Sequence, residues 1–522
     1  MTTYAYDKGN RLTQINDSVS GLITRTYDGL DRLNFESTPQ GSITYTDDAS
    51  GRRATMTVTG QSSVVYSYDN ANRLTQITQG TSIVSFGYDN ANRRTSLTLP
   101  NGIVVEYGYD AASRVTSITY KQNGTTLLGD LTYEYDKAGN RNKVGGSFAR
   151  TGISENVAST NYNAANQQTT FGDKTLTYDN NGNLTSITDA SGTVLYSWNA
   201  RNQLVGISGP TVSANFVYDG IGRREKKTIN GSLTEFLYDG VNPVQETSGA
   251  TVLANMLTGF EIDEFLTRTD VAASMTTSFL PDALGSAIAL ADSTGTLQTE
   301  YTYEPFGRTT STSVSNINPF QYTGHTGREN DGIGLYYYRA RYYHPGLQRF
   351  TGEDPIEFRR GGFNLYVYAD NNAIRNKDPL GLYVGAVGAI GSGAIGAPSG
   401  QDAVGGSGFA GFVNDSNGNW GFAVCGAAGP ATGAGGFIGL GSINSWGSGT
   451  ICDMQGAGGG FGYGGGGRAG GGVGLGAFVE VSPNLTSVAT GVGAAWGGFG
   501  GSGGFGGCVV FPISTSCDKC PR

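Results

Sequence analysis

The sequence predicts an all-β protein in which short hairpins stack on one another along most of the chain. Tyr, Phe, Thr and Ser are abundant, and these residue types favour strands or the turns between them. The chain contains 84 glycines in 522 residues, which suits many tight turns. A short block also recurs about every 20 residues, which is typical of a repeat architecture. The net charge of −9 argues against a nucleic-acid groove, because such grooves are basic.

The repeated block reads Tyr-Asp, two variable residues, Gly or Asn, Arg or Gln, and usually Leu. Nine copies begin at Tyr6, Tyr27, Tyr68, Tyr88, Tyr109, Tyr135, Tyr178, Tyr218 and Tyr238, and degenerate copies begin at Asp47, Tyr162 and Trp198. Apolar and polar residues alternate on both sides of the block, as in half-buried strands. Each unit is therefore predicted to be one hairpin, stable only when it stacks on its neighbours.

The turn chemistry of one block can be deduced from the copy at 68–78. Asp69 can accept backbone N–H bonds in an Asx-turn, and Asn72 stands where a residue in the left-handed region is expected. Other copies place glycine at that position, which fits a requirement for positive φ. We therefore interpret the Tyr-Asp pairs as structural.

These blocks resemble the YD repeats of the RHS family, which includes teneurins, bacterial RHS polymorphic toxins and the C components of insecticidal toxin complexes. The resemblance implies a spiral of hairpins that forms a hollow shell around the C-terminal segment of the same chain. We assign the YD-repeat shell to residues 1–279. Because stacked repeats leave a sheet edge at the first hairpin, we expect residues 1–30 to pair with another polypeptide, such as an upstream RHS piece or a second copy.

Residues 280–382 differ in period from the repeats. They contain GLYYYRARYYHPGLQRF (334–350) and end in DPLGL (378–382), and they resemble the RHS-repeat-associated core domain. In toxin members of the family this core is an intramolecular aspartyl protease that cuts after the DPxGL leucine. The resemblance therefore implies a single-turnover cut between Leu382 and Tyr383.

The same resemblance assigns the candidate catalytic residues. The carboxylates would be Asp354 and Asp378, with Arg341 as support. Of two neighbouring carboxyl groups, one can take a proton from water while the other donates to the carbonyl, and a guanidinium can hold one of them ionised. Substrate and catalyst share a chain, which suits a single cut.

The chain departs from the family pattern at two positions, and an alternative stays open. Glu357 stands where the family has Gly, and His344 replaces the Asp of the RYYDP stretch. Asp-Pro is also a common turn starter, so the two aspartates can be purely structural. The alternative is a core that plugs the shell without cutting.

Residues 383–522 form a separate region with 45 of the 84 glycines, all five cysteines and no histidine. Without histidine, and with one lysine and one glutamate, it has few groups for acid–base catalysis. Uncharged glycine-spaced segments favour a small β-meander or β-barrel that acts on membranes, and a passive tail is the competing interpretation. Cys517 and Cys520 lack a second pair that would complete a zinc site. We expect neither cofactor nor metal.

The leading functional expectation is a shell that encapsulates, cuts and helps to deliver its own C-terminal region as an effector or toxin. Its partners would be that tail as cargo and an upstream RHS polypeptide or a secretion-apparatus component. The resemblance implies a bacterial protein that is secreted or on the cell surface. No basic segment followed by an apolar one is visible after Met1, so the export route would lack a visible signal peptide. The alternative function is a non-proteolytic surface protein for structure or adhesion.

Overall fold

The protein is described by a computed structural model, which divides into two compact units, Met1–Ala394 and Ile395–Arg522. The described residues are 1–154, 156–313, 318–324, 333–356 and 364–382, together with the backbone of eight strands between 385 and 512. In the first unit the described residues form strands and turns, with single 3₁₀ turns at Tyr322–Gly324 and Ala369–Asn371. The prediction of an all-β fold is confirmed.

A first antiparallel sheet contains 14 strands, each paired with the next strand in the sequence. The strands are β1 (Thr2–Tyr6), β2 (Leu12–Asp17), β3 (Gly21–Tyr27), β4 (Leu33–Thr38), β5 (Gly41–Asp47), β6 (Arg53–Val58), β7 (Val64–Tyr68), β8 (Leu74–Gln79), β9 (Ser82–Tyr88), β10 (Arg94–Thr98), β11 (Ile103–Tyr109), β12 (Val115–Gln122), β13 (Thr126–Tyr135) and β14 (Arg141–Gly145). Sequential pairing of this kind is what stacked hairpins require.

A second antiparallel sheet contains 16 strands, again in sequence order. They are β15 (Thr160–Tyr162), β16 (Gln168–Phe171), β17 (Lys174–Tyr178), β18 (Leu184–Asp189), β19 (Gly192–Trp198), β20 (Leu204–Ser208), β21 (Ser213–Tyr218), β22 (Arg224–Ile229), β23 (Ser232–Asp239), β24 (Asn242–Ser248), β25 (Thr251–Thr258), β26 (Phe265–Asp270), β27 (Met275–Pro281), β28 (Ala287–Ala291), β29 (Leu297–Tyr303) and β30 (Thr309–Ser311). The sheet thus continues past residue 279. The predicted domain boundaries stay predictions.

The Tyr-Asp blocks are the turns between successive strands, with the predicted chemistry. Asp69 Oδ1 accepts the backbone N–H of Ala71 and of Arg73, each at 2.9 Å. Asn72 has φ of 63°, and Gly51 has φ of 78° at the equivalent position. The Asx-turn and the left-handed residue are therefore confirmed.

The block tyrosines connect one turn to the preceding hairpin. Tyr68 donates its hydroxyl hydrogen to the carbonyl of Arg53 at 2.8 Å, and Tyr88 donates to that of Leu74 at 2.9 Å. These bonds satisfy the phenol group while its ring packs against the sheet. The recurrence of tyrosine is thus explained by hydrogen bonding as well as by packing.

The largest hydrophobic core combines side chains of both sheets. Ile77, Val84 and Ile118 of the first sheet belong to the same buried cluster as Leu257 and Leu280 of the second. Alternation along each strand places these residues on one face of their sheet. The two sheets of this unit therefore stabilise each other through their apolar faces.

Short strands form the rest of the first unit. A three-stranded sheet contains β31 (Tyr336–Tyr338), β32 (Arg341–His344) and β33 (Arg349–Phe350), and a two-stranded one contains β34 (Asn376–Lys377) and β35 (Gly385–Ala386).

The second unit contains one seven-stranded antiparallel sheet, in the order β36-β37-β42-β39-β40-β41-β38. Its strands are β36 (Gly406–Asn414), β37 (Trp420–Ala428), β38 (Asn444–Trp446), β39 (Gly458–Gly464), β40 (Val473–Val481), β41 (Val488–Trp496) and β42 (Gly504–Pro512). The last strand lies between β37 and β39, so the strands are not in the sequence order of a meander, which was one of the two folds expected for this region. Local patterning does not encode such long-range pairing. Among the described residues, no helix has the length and apolar character needed to cross a membrane.

Candidate functional site

Arg341 occupies the first position of β32 and is 4% exposed. It pairs with Tyr338 across a two-residue turn, in which Arg339 has φ of 60°. The guanidinium carbon lies 3.6 Å from the centroid of the Phe350 ring, a cation–π contact. Packing on the ring fixes the plane of the guanidinium and therefore the directions of its donors.

The two predicted aspartates meet at one nitrogen atom of this arginine. Arg341 Nη2 lies 3.1 Å from Asp354 Oδ2 and 3.4 Å from Asp378 Oδ2. Asp354 is 6% exposed and Asp378 is fully buried. The structure thus brings together all three residues that the sequence singled out.

The same groups hold the backbone that precedes the predicted cleavage site. Arg341 Nε donates to the carbonyl of Gly381 at 2.5 Å, and the N–H of Leu382 donates to Asp378 Oδ1 at 3.0 Å. The Gly381–Leu382 peptide is therefore held at both its oxygen and its nitrogen. Tyr383, the other half of the predicted cleavage site, lies outside the described residues.

The two aspartates share one guanidinium. Arg341 faces two buried carboxyl groups, those of Asp354 and Asp378. Two neighbouring carboxyl groups can divide the roles of proton acceptor and proton donor, as acid–base hydrolysis requires.

Aromatic rings pack closely around the site. Tyr338 lies at 5.8 Å from Phe350 and at 5.3 Å from Tyr368, both edge to face, and Tyr343 lies 4.3 Å from Tyr368 between ring centroids. Burial raises the pKa of Tyr368 well above its ordinary value, and Tyr338 and Asp378 add to this rise. The phenol therefore stays neutral, and the electrostatic interactions inside this enclosure are strong.

A second arginine holds the DPLGL segment, and no sequence motif pointed to this role. Arg339 Nη1 donates to the carbonyl of Pro379 at 2.6 Å, and its two Nη atoms form a bidentate pair with Asp263. Asp263 belongs to the turn between β25 and β26, 76 residues earlier. A salt bridge over this separation is not visible in any local pattern.

The structure explains one of the two departures from the family pattern. His344 Nδ1 accepts the N–H of Leu347, three residues on, at 3.1 Å, and an Asp carboxylate at this position could accept the same N–H. Burial lowers the pKa of His344 to about 4, so the imidazole is neutral and can accept. Glu357 lies outside the described residues. Within the part of the chain that is described, no group of His, Cys, Asp and Glu residues is arranged to hold a metal ion.

Comparisons with known proteins agree with this architecture. The tRNA3(Ser)-specific nuclease WapA of Bacillus spizizenii is 32% identical over 265 residues, which are 49% of this chain and 11% of that protein. The toxin subunit YenC1 of Yersinia entomophaga is 37% identical over 105 residues, 20% of this chain and 11% of that one. The chain thus matches about a tenth of the length of these relatives.

A solved structure shows the same fold. The TcdB2-TccC3 crystal structure matches with a TM-score of 0.56 at 18% identity, over 73% of this chain and 26% of that one. The family model of the Teneurin YD-shell matches residues 1–128 and 103–374, and therefore most of the first unit. The chain is an RHS/YD-repeat protein and belongs to the Teneurin YD-shell family.

Proposed function

We propose that this protein cuts itself once, between Leu382 and Tyr383, and so releases residues 383–522 as an effector. One observation carries the proposal: a single atom, Arg341 Nη2, contacts both aspartates while the same side chain binds the carbonyl of Gly381. The bond to be cut is the next peptide bond along the chain.

In the proposed reaction one of the two aspartates is ionised and the other carries a proton. The ionised carboxyl group takes a proton from a water molecule, whose oxygen bonds to the carbonyl carbon of Leu382. The protonated carboxyl group gives its proton to the carbonyl oxygen of Leu382, which becomes a hydroxyl group. The carboxyl group that took the proton from water then gives it to the amide nitrogen of Tyr383 as the C–N bond breaks, and a hydroxyl hydrogen returns to the other carboxyl group. The products are a carboxyl group on Leu382 and an amino group on Tyr383. Because the bond to be cut and the catalytic groups belong to one chain, no separate substrate-binding step is needed.

Mass spectrometry of the purified chain tests the cut. We expect two species, residues 1–382 and residues 383–522, and a single species in Asp354→Asn and in Asp378→Asn. Asp173→Asn is the matched control, because that side chain is 70% exposed. A wild-type chain that stays at 54.5 kDa would contradict proteolysis and favour the structural or adhesion function.

The proposed role of the shell is to enclose this tail until delivery. Support comes from the relatives, whose names describe a nuclease and a toxin subunit. Delivery would need an upstream RHS polypeptide or a secretion component, and the protein would act outside the cell that makes it or at its surface. The comparisons cover only a small part of those proteins, so their targets do not transfer to this tail.

The tail is proposed to act on membranes. Its composition supports this, since residues 383–522 contain no histidine and few charged groups but many glycine-spaced apolar residues. Bacteria producing the full chain, the Asp378→Asn variant or a chain ending at Leu382 would be monitored with a potential-sensitive dye. We expect depolarisation with the full chain alone. Growth arrest without depolarisation would contradict a membrane target, and normal growth in all three cultures would favour a passive tail.

A further inference from the structure

The arginine of the YD block joins each turn to the next one. Arg73 Nε donates to Asp69 Oδ2 of its own turn at 2.7 Å, and its Nη1 donates to the carbonyl of Asp89 in the following turn at 3.0 Å. The turns with such an arginine contain Arg11, Arg32, Arg52, Arg73, Arg93, Arg114 and Arg223. Each guanidinium is thus a charged link between neighbouring hairpins.

Four successive turns lack this arginine. They have Asn140, Gln167, Asn183 and Gln203 at the equivalent position. Asn140 still donates from Nδ2 to Asp136 Oδ2 at 3.1 Å, as the arginine does in other turns. Its side chain is shorter and uncharged, and in the described part of the chain it makes no hydrogen bond to a following turn.

The segment around the candidate site contacts the chain at these arginine-free turns. Tyr366 donates its hydroxyl hydrogen to the carbonyl of Gly182 at 2.8 Å and accepts from Gln167 Nε2 at 3.2 Å. The N–H of Leu184 donates to the carbonyl of Thr351 at 2.8 Å. Loss of the repeat arginine therefore coincides with docking of the core segment.

Arg375 takes the place of the missing arginine at the last turn of the first sheet. Its Nη1 donates to Asn140 Oδ1 at 2.9 Å. A Cβ atom built on Gly139 would lie 3.6 Å from Arg114 Nη1 and 3.8 Å from Arg375 Nη2, so the two guanidinium groups flank the same turn. Hydrogen bonds from Asn140 lower the pKa of Asp136, and the charge of Arg375 contributes in the same direction.

Arg375 is also firmly connected to the candidate site. Its N–H and that of Asn376 both donate to the carbonyl of Asn372, at 3.1 and 2.8 Å, which closes a tight turn three residues before Asp378. A displacement of Arg375 would therefore move the segment that carries this carboxylate.

We propose that Arg375 is a positioning residue, which supplies the guanidinium that Asn140 lacks and so fixes the Asp378 segment to the last turn of the fourteen-stranded sheet. Cleavage competence would then depend on that sheet being folded to its end. The effect on cleavage rests on the proposed function, whereas the docking contact does not.

Four variants test this inference. Asn140→Arg restores the repeat arginine, whose charge would repel Arg375, and Arg375→Gln removes the link from the other side. Arg375→Lys keeps the positive charge at position 375. The double variant Asn140→Arg/Arg375→Gln returns a guanidinium to the turn, but it lacks the connection between residue 375 and that turn. Gln203→Arg is the matched control, because it adds the same charge to another arginine-free turn.

Two readouts apply to each variant: the rate of fragment formation and the deuterium exchange of amides in 369–382. We expect Asn140→Arg and Arg375→Gln to cleave roughly 10- to 100-fold more slowly, as expected for misplaced reacting groups, and to exchange faster in this segment. Arg375→Lys should recover part of the cleavage rate and part of the protection from exchange. Gln203→Arg should match the wild type in cleavage rate and in exchange.

The double variant decides between positioning and simple stabilisation of the turn. We expect its unfolding temperature to return to the wild-type value while cleavage stays slow and exchange stays fast. A double variant that cleaves and exchanges like the wild type would overturn the inference. If the wild type does not cleave, the proposed function fails and deuterium exchange alone tests the docking contact. Faster exchange in Asn140→Arg and Arg375→Gln would then support docking of Arg375 on the turn. Unchanged exchange in both variants would overturn the docking contact.

Discussion

A Cβ atom on Gly381 would lie 2.5 Å from the carbonyl oxygen of Tyr338. Gly381 also has φ of 68°, a conformation that other residues rarely adopt. The contact packs the DPLGL segment directly against the strand pair that presents Arg341. Glycine is therefore required at position 381, because a side chain would collide with Tyr338 and because φ is positive.

We expect Gly381→Ala to abolish cleavage, because the methyl group would force the segment away from Arg341. Appearance of the fragment that starts at Tyr383 is the measurement. Gly334→Ala is the matched control, since Gly334 has φ of 62° and no neighbour within 4 Å of the added atom. Equal cleavage by the two variants would show that steric contact at Gly381 is unimportant.

Arg341→Lys should fold and yet fail to cut. The arginine donates to the carbonyls of Gly381 and Leu365 and contacts two carboxylates, a set of directions that an ammonium group cannot match. We expect a rate loss of roughly 100-fold, as for other misplaced catalytic groups. Arg349→Lys, on the adjacent strand, is the control. Wild-type cleavage by Arg341→Lys would mean that charge alone suffices.

The local part of this architecture could be predicted from the sequence, because each YD turn is closed by residues within four positions. Three further turns, at Asp282, Asp292 and Glu304, escaped detection. The first two lack both the preceding tyrosine and the following arginine, and the third has Glu in place of Asp. Resemblance to a family identified Arg341, Asp354 and Asp378. The contacts that hold them, Arg339 with Asp263 and Arg375 with Asn140, join residues 76 and 235 positions apart. Such pairs depend on tertiary packing and leave no local pattern.

Two adjacent arginines should respond to replacement by methionine with very different losses of stability. Arg223 is paired with Asp219 and Glu36, both buried. Arg223→Met leaves the buried Asp219 without its cation, while Glu36 keeps its ion pair with Arg25, and should lower the free energy of unfolding by about 3–5 kcal/mol.

Arg224 is 1% exposed and has aromatic surroundings, with its guanidinium carbon 4.4 Å from the ring centroid of Tyr337 and 5.3 Å from that of Phe236. Within the described part of the chain, its Nε and Nη2 have no hydrogen-bond acceptor. Arg224→Met removes a desolvated charge while it keeps most of the volume, so we expect a change within about 1 kcal/mol. Urea unfolding of both variants is the measurement, and equal destabilisation would contradict this account.

Stability should depend on pH through His344. Burial lowers the pKa of this histidine from 6.5 to about 4 in the folded protein, so the unfolded chain takes up a proton first as the pH falls. The contribution of the neutral imidazole is complete above about pH 6.5 and is lost as the pH decreases toward about 4. His344→Asn keeps an acceptor for the N–H of Leu347 but does not titrate. We expect the wild type to lose more stability than this variant between pH 7 and pH 4.5 in urea unfolding, with carboxylate effects common to both. Parallel losses in the two proteins would show that the pKa of His344 is not lowered in the folded protein.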